Sequence, residues 1–201
     1  MTHHHIFSRR PLLPVLTAIV LALLPRYGQA QTQAVDSTAK TSPIVRIAGI
    51  GVPLIAEGLL VKGEDKGFRQ LRNHYASDFH SSFDNYLRYL PAAVLLGMKV
   101  GGVESRSSWG RMLTSDAFST AIMGAAVFSV KHIVHRTRPD GSDRESFPSG
   151  HTAAAFMTAT MLNKEYGHLS PWVGIGAYTV ATGTAVMRMA NNKHWFSDVI
   201  T

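Results

Sequence analysis

Cysteine is absent from the 201 residues. Disulfides, thiol nucleophiles and thiolate-held metals are therefore excluded. Charge is scarce: Asp, Glu, Lys and Arg make up 16% of the chain, against roughly 25% in a typical soluble domain. Acid is scarcer than base, with 13 acidic and 20 basic residues and a formal charge of +7. Such a balance suits an anionic substrate or an anionic membrane surface. The basic residues are scattered rather than striped, and no nucleic-acid-binding motif is present, so a nucleic-acid partner is not expected. Long hydrophobic runs are also missing from the N-terminal region. Leu12 to Leu24 is an apolar stretch of about 13 residues interrupted by Pro14, short for a membrane span of about 20. Mean hydropathy is near zero, so composition alone admits both membrane and soluble readings. No internal repeat is visible.

What is there begins with an export signal over residues 1–30. Arg9 and Arg10 supply a positive start, the Leu12–Leu24 stretch follows, and Gly28-Gln29-Ala30 offers a small-x-small cleavage site. His3-His4-His5 ahead of it reads as incidental. Residues 31–43 are polar and aperiodic, a linker. About 170 residues follow the signal, enough for a single core, and one domain is expected over 44–201. Ile44 to Val61 is a helix candidate with a kink at Pro53. Over 62–88, Phe68, Leu71, Tyr75, Phe79, Phe83, Tyr86 and Tyr89 recur at three or four, which predicts an amphipathic helix lying on a core or a membrane surface, its aromatic stripe read as core-facing rather than as a ligand box. Leu90–Val103 reads as a shorter apolar helix and 104–115 as a polar loop. Asp116 is the expected cap of a helix running to about His135. Pro139 and Asp140-Gly141 mark a loop over 136–147. A further helix opens near Ser149, runs to about Lys164 and closes at Gly167. Ser170-Pro171 caps the next, Trp172 to about Met189. Asn191-Asn192 breaks it, and another helix begins at Trp195. The fold class is all-α, an antiparallel helical bundle.

Three short runs stand out: Lys131-x6-Arg138-Pro139, Pro148-Ser149-Gly150-His151, and Arg188-x5-His194-x3-Asp198. The helix order brings all three to one end of the bundle. There Lys131, Arg138 and Arg188 provide fixed cations for an anion, and arginine's planar fork fits phosphate at two points. The Ser149 hydroxyl and Gly150 amide add donors at a helix N-terminus, where backbone N–H groups and the dipole favour anions. His194 is the expected nucleophile. Asp198, one helical turn on, can reach its far ring nitrogen and fix the tautomer. His151 is the expected general acid, then base. Taken singly, Lys131 or Arg188 could cap a helix, and a His-x3-Asp pair is commonly a surface pair. Their joint order and spacing carry the functional reading. His132 and His135 share a helix face but lack a carboxylate partner, so no metal site is expected there, and they more simply line the pocket or core. Asp140, Asp143, Arg144 and Glu145 read as loop structure.

These runs resemble the three-part signature of the type 2 phosphatidic acid phosphatase superfamily, which also holds bacterial class A acid phosphatases and vanadium haloperoxidases. The family pattern is Lys-x6-Arg-Pro, Pro-Ser-Gly-His and Ser-Arg-x5-His-x3-Asp. The first two parts are complete; in the third, Met187 stands where the family has Ser. The resemblance covers about residues 116–201. It implies the same roles for the matching residues. It also implies a metal-independent phosphatase that passes through a phosphohistidine and binds vanadate as a phosphate mimic, with no cofactor. The expected substrate is a phosphate monoester or pyrophosphate, lipid-linked rather than small. The alternatives are a soluble periplasmic non-specific acid phosphatase, a vanadium haloperoxidase and a non-catalytic phospholipid-binding module. The short gap between Pro139 and Pro148 leaves little room for a halide pocket, and no catalytic position is lost.

An exported catalyst with apolar helices beside its site is expected at the cell envelope, membrane-associated, with the site facing outward. Were Ile44–Val61, Leu90–Val103 and Asp116–His135 all to span, the first motif would face the cytoplasm, so one of them is expected not to cross, or the chain sits at the membrane surface. Oligomeric state is not legible. The family places a further helix after the last motif, so the bundle is expected to continue past Thr201.

Overall fold

The computed structural model describes residues 61–200. The expected signal, the linker and nearly all of the Ile44–Val61 helix lie outside the described residues. Among those described there are helices and no strands, an all-α fold. A short 3-10 turn, Val61–Glu64, leads into α1 (Asp65–Tyr75). There follow α2 (Asp84–Leu87), α3 (Leu90–Val100), α4 (Trp109–Val134), α5 (Gly150–Tyr166), α6 (Pro171–Ala190) and α7 (Phe196–Ile200).

The heart of the fold is the α5–α6 hairpin. Ala155 and Ala159 on α5, and Ala177 and Ala181 on α6, are all buried in one cluster with Leu95, Met112, Leu162 and Tyr166. Alanines four apart on each helix make a small-residue stripe, which lets the two backbones approach closely. α3 and α4 pack on α5 and contribute Leu95 and Met112 to that cluster. Ser170 ends the turn between the hairpin helices. Its hydroxyl accepts from the Trp172 N–H at 3.3 Å, with Pro171 at the first helical position, as expected of this pair. At the C-terminal end of α5, the Glu165 carboxylate accepts from the Ser107 N–H at 2.8 Å and the Glu165 carbonyl from the Arg106 N–H at 3.1 Å. That pins the loop entering α4.

Two sequence expectations are corrected. Residues 62–88 do not form one helix. The chain leaves the helix at Ala76, and α2 is a separate turn beginning at Asp84. Ser81 is drawn aside because its N–H donates to the Asn191 side-chain oxygen at 2.9 Å and its carbonyl accepts from the Asn191 amide at 2.8 Å. The aromatic stripe is consequently not core-facing. Phe68 stacks on Phe196 at 4.1 Å, but Tyr75, Phe79, Phe83, Tyr86 and Tyr89 are exposed. The second correction concerns α4. It starts at Trp109 after an extended Ser108, so Asp116 lies inside the helix and the polar stretch 104–115 is half helical. Met112, fully buried, anchors that additional first part.

Candidate active site

The N-terminus of α5, the C-terminus of α6 and the start of α7 converge. Ser149 caps α5, its hydroxyl accepting from the Thr152 N–H at 3.4 Å. The Ser149 N–H in turn donates to the Asp198 carbonyl at 2.9 Å, which ties α5 to α7. The segment 146–149 is thus held between two helices, and Gly150 and His151 follow as the first residues of α5.

His194 is buried, 3% exposed. Its Nδ1 lies 2.7 Å from the Ser146 carbonyl oxygen. A carbonyl only accepts, so Nδ1 carries the proton and Nε2 keeps its lone pair. The expected direct bond to Asp198 is replaced: Asp198 Oδ2 is 3.8 Å from Nδ1, beyond hydrogen-bond reach. The carboxylate acts one step back. It accepts from the Ser146 hydroxyl and from the Trp195 N–H at 2.8 Å, and its other oxygen accepts from Arg136 Nη1 at 2.6 Å. Asp198 therefore holds the loop whose carbonyl orients the imidazole. Burial would raise its pKa, but the neighbouring His194 ring, the Ser146 hydroxyl, Arg136 and the Trp195 N–H outweigh burial and hold it below the usual carboxylate value. Burial depresses the His194 pKa, reinforced by Arg188 and Arg138 and opposed by Asp198. The ring is neutral near pH 7, the state a nitrogen nucleophile requires.

Arg188 is buried at the end of α6 and donates from Nη1 to Asp84 Oδ2 at 2.7 Å. Its Nε is buried with no partner among the described residues. An unsatisfied buried guanidinium N–H is costly unless a ligand completes it. Asp84 is further fixed by the Asn191 amide at 3.1 Å. His151 Nε2 meets Asn85 Oδ1 at 2.8 Å. Burial, then the charges of Arg188 and Arg88, push the His151 pKa down to about 4. The two remaining cations lie on local oxygens. Arg138 Nε bonds Asp143 Oδ1 at 2.6 Å, and Lys131 Nζ donates to the Glu145 carbonyl. Asp143 and Glu145 are thus loop structure that steadies the cations, and Asp140 pairs with Lys193 at 2.7 Å. His132 and His135 are exposed, so neither lies in the core. No cluster of three metal-ligating side chains occurs among the described residues.

Five functional neighbours escaped the sequence reading. Arg136 bridges Asp65, Ser197 and Asp198. Ser146 orients His194. Asp84 and Asn85 engage Arg188 and His151. Arg136 and Ser146 sit two residues before Arg138 and Pro148, so their nearness to the motifs was a usable signal. Asp65, Asp84 and Asn85 had none.

Residues 111–201 match the model of the PAP2 superfamily. The chain is 39% identical over 203 residues to a lipid A 1-phosphatase of Porphyromonas gingivalis, an alignment covering 94% of this chain and 46% of that protein. The chain therefore spans about half the length of this curated relative. No solved structure matches the chain.

Proposed function

We propose that this chain, which belongs to the PAP2 superfamily, hydrolyses a phosphate group on a lipid, through a phosphohistidine on His194 and without a metal ion. The observation that carries the reading is the state of His194. Its ring is neutral, its Nδ1–H is committed to a fixed carbonyl so that Nε2 keeps the lone pair, and Arg188 is close enough to lower the ring's basicity. Nε2 attacks phosphorus, the bond from phosphorus to the leaving oxygen breaks, and His151 gives that oxygen a proton. Water then attacks the phosphohistidine while His151 takes a proton back, releasing inorganic phosphate. Charge on the transferring group is met by Lys131, Arg138 and Arg188 with the donors at the start of α5. These cations occupy the role a divalent ion would fill, so chelator should leave the rate intact and vanadate should inhibit.

The relative's name directs the choice of lipid toward a glycolipid of the lipid A kind. Acyl chains add about 0.8 kcal/mol of binding per buried methylene, which favours the whole lipid over its headgroup. A membrane setting agrees with α4. Its 26 residues extend about 39 Å at about 1.5 Å per residue, enough to cross a bilayer. We place the active site on the outer side of that membrane.

The deciding experiment compares turnover of lipid A, phosphatidate, a prenyl pyrophosphate and a small aryl phosphate in detergent micelles. The lipid A phosphate should be preferred. Equal or faster turnover of the aryl phosphate, with release of the protein by salt alone, would point instead to a soluble periplasmic acid phosphatase.

A further inference from the structure

Asn85 lies outside the three motifs and outside the matched segment 111–201. Its mount is unusually firm for so short a helix. Asp84 beside it is fully buried against Arg188 and Asn191. Ser81, just ahead, exchanges two hydrogen bonds with the same Asn191 side chain. Segment 81–85 is therefore fastened to the C-terminal end of α6, the helix that delivers Arg188. From that mount Asn85 Oδ1 reaches the ring of His151 at 2.8 Å across 66 residues of sequence.

We infer that Asn85 is a positioning residue for His151: it keeps a proton on Nε2 and makes Nδ1 the nitrogen that exchanges protons with substrate and water. An amide oxygen accepts and cannot donate, so in the neutral ring Nε2 is protonated and Nδ1 is basic. In the forward step the imidazolium passes its Nδ1 proton to the leaving oxygen as the bond to phosphorus breaks. The neutral ring, with its Nε2–H still on Asn85, then takes a proton at Nδ1 from the water that attacks the phosphohistidine. A neutral amide orients the ring without stabilising its cation as a carboxylate would. That agrees with the depressed basicity of His151, whose charged and titratable neighbours are Arg188 on α6, Arg88 after α2, Asp84 on α2 and His194 ahead of α7. A bound phosphate supplies the negative charge that lets the ring protonate during turnover.

This inference rests on the phosphatase reading, and its test separates the two. The side-chain nitrogens of the full chain in micelles are followed by 15N NMR, with His151 assigned from the signal lost in His151→Gln. The wild type should show Nε2 protonated. Asn85→Leu should lose that preference and lower kcat about tenfold to a hundredfold, the cost of misplacing a catalytic group, with KM changed by less than about threefold because phosphate binding is untouched. Asn85→Asp, nearly the same shape and so a safeguard against misfolding, should raise the His151 titration by about one unit or more. An unchanged tautomer in Asn85→Leu together with an unmoved titration in Asn85→Asp overturns the inference. Absence of turnover by the wild type on every phosphate substrate sinks the phosphatase reading instead, and the NMR result still decides the role of Asn85.

Discussion

Along α4, Met112 is the one buried side chain, while Phe118, Ile122, Phe128 and Ile133 are all more than half exposed. At the converging ends of α5, α6 and α7 the distribution is reversed. Asp65, Asp84, Arg188, His194 and Asp198 are each less than one-tenth exposed. In a water-soluble domain, charged side chains are almost never fully buried unless paired, and large contiguous apolar patches seldom face water. The buried charges here meet that condition: Asp65 and Asp198 share Arg136, and Asp84 holds Arg188. The apolar flank of α4 is long and apolar enough to cross a membrane and fits the proposed lipid setting. The difference teaches that the two regions answer to different surroundings. On the proposed phosphatase reading, one is preorganised for a phosphate that takes the place of water and the other faces lipid.

The strongest way to break the comparison is to empty the polar end of its reactive atom. His194→Ala should abolish turnover, with a loss beyond the roughly hundredfold at the low end of acid–base contributions, while the thermal transition persists. Acid quenching of the wild type with labelled substrate should trap an acid-labile, base-stable phosphoenzyme that the variant lacks. Residual activity above about a hundredth of wild type would remove His194 from the nucleophile's role.

Next in size is the counter-charge. Arg136→Ala leaves Asp65 and Asp198 buried without their shared cation. Removing one partner of a buried pair costs about 3–5 kcal/mol. A fall of that order in denaturant-derived stability is expected, with activity lost as the 146–149 segment loosens. A loss under about 1 kcal/mol, the scale of an exposed pair, would show that water reaches these carboxylates and that the polar end is less dry than its burial implies.

How much of this was legible in the residues themselves follows from sequence separation. The three motifs could be read because each is short and each ends or begins a helix, so spacing alone put their side chains at one end of the bundle. The Ser170-Pro171 cap was readable for the same local reason. Asp84 and Asn85 were not, because their partners Arg188 and His151 lie 104 and 66 residues away, a relation that packing of α2 creates and no local pattern records. The aromatic spacing over 68–89 misled because period alone cannot see Asn191 holding Ser81 out of a helix. The start of α4 was missed because a polar stretch looked like a loop, when Ser108 and the buried Met112 were already organising the first turn.

The apolar side of the comparison is tested at Ile122, near the midpoint of α4 and 57% exposed. A lysine at the centre of a spanning helix costs about 2.5–3.5 kcal/mol. Ile122→Lys should therefore shift protein out of the membrane fraction or reduce its accumulation there, measured by detergent and carbonate extraction. Ile122→Ala should change little. If both variants fractionate like wild type and salt releases all three, α4 does not meet lipid.

The smallest expected effect lies in the dependence of stability on pH, which probes the histidines and the carboxylate of the polar end. His151 titrates at about 4 in the folded chain against 6.5 for an unperturbed imidazole. Between those values the unfolded chain binds a proton that the folded chain refuses, so stability falls as pH drops from about 6.5 toward 4. His194, also depressed, adds to the fall in the same direction. Asp198 is depressed as a carboxylate, so its stabilisation is present above 3.8 and is lost only as pH drops through its lower folded value. Unfolding midpoints measured from pH 7.5 to 3 should thus show a histidine-driven decline first and a carboxylate-driven decline below it. His151→Gln should make the upper decline shallower and leave the lower one in place. Ile122→Ala, remote from every titrating group at the site, should reproduce the wild-type slope in both windows. A wild-type profile flat between 6.5 and 4 would mean that the imidazoles of the site are as well hydrated when folded as when unfolded.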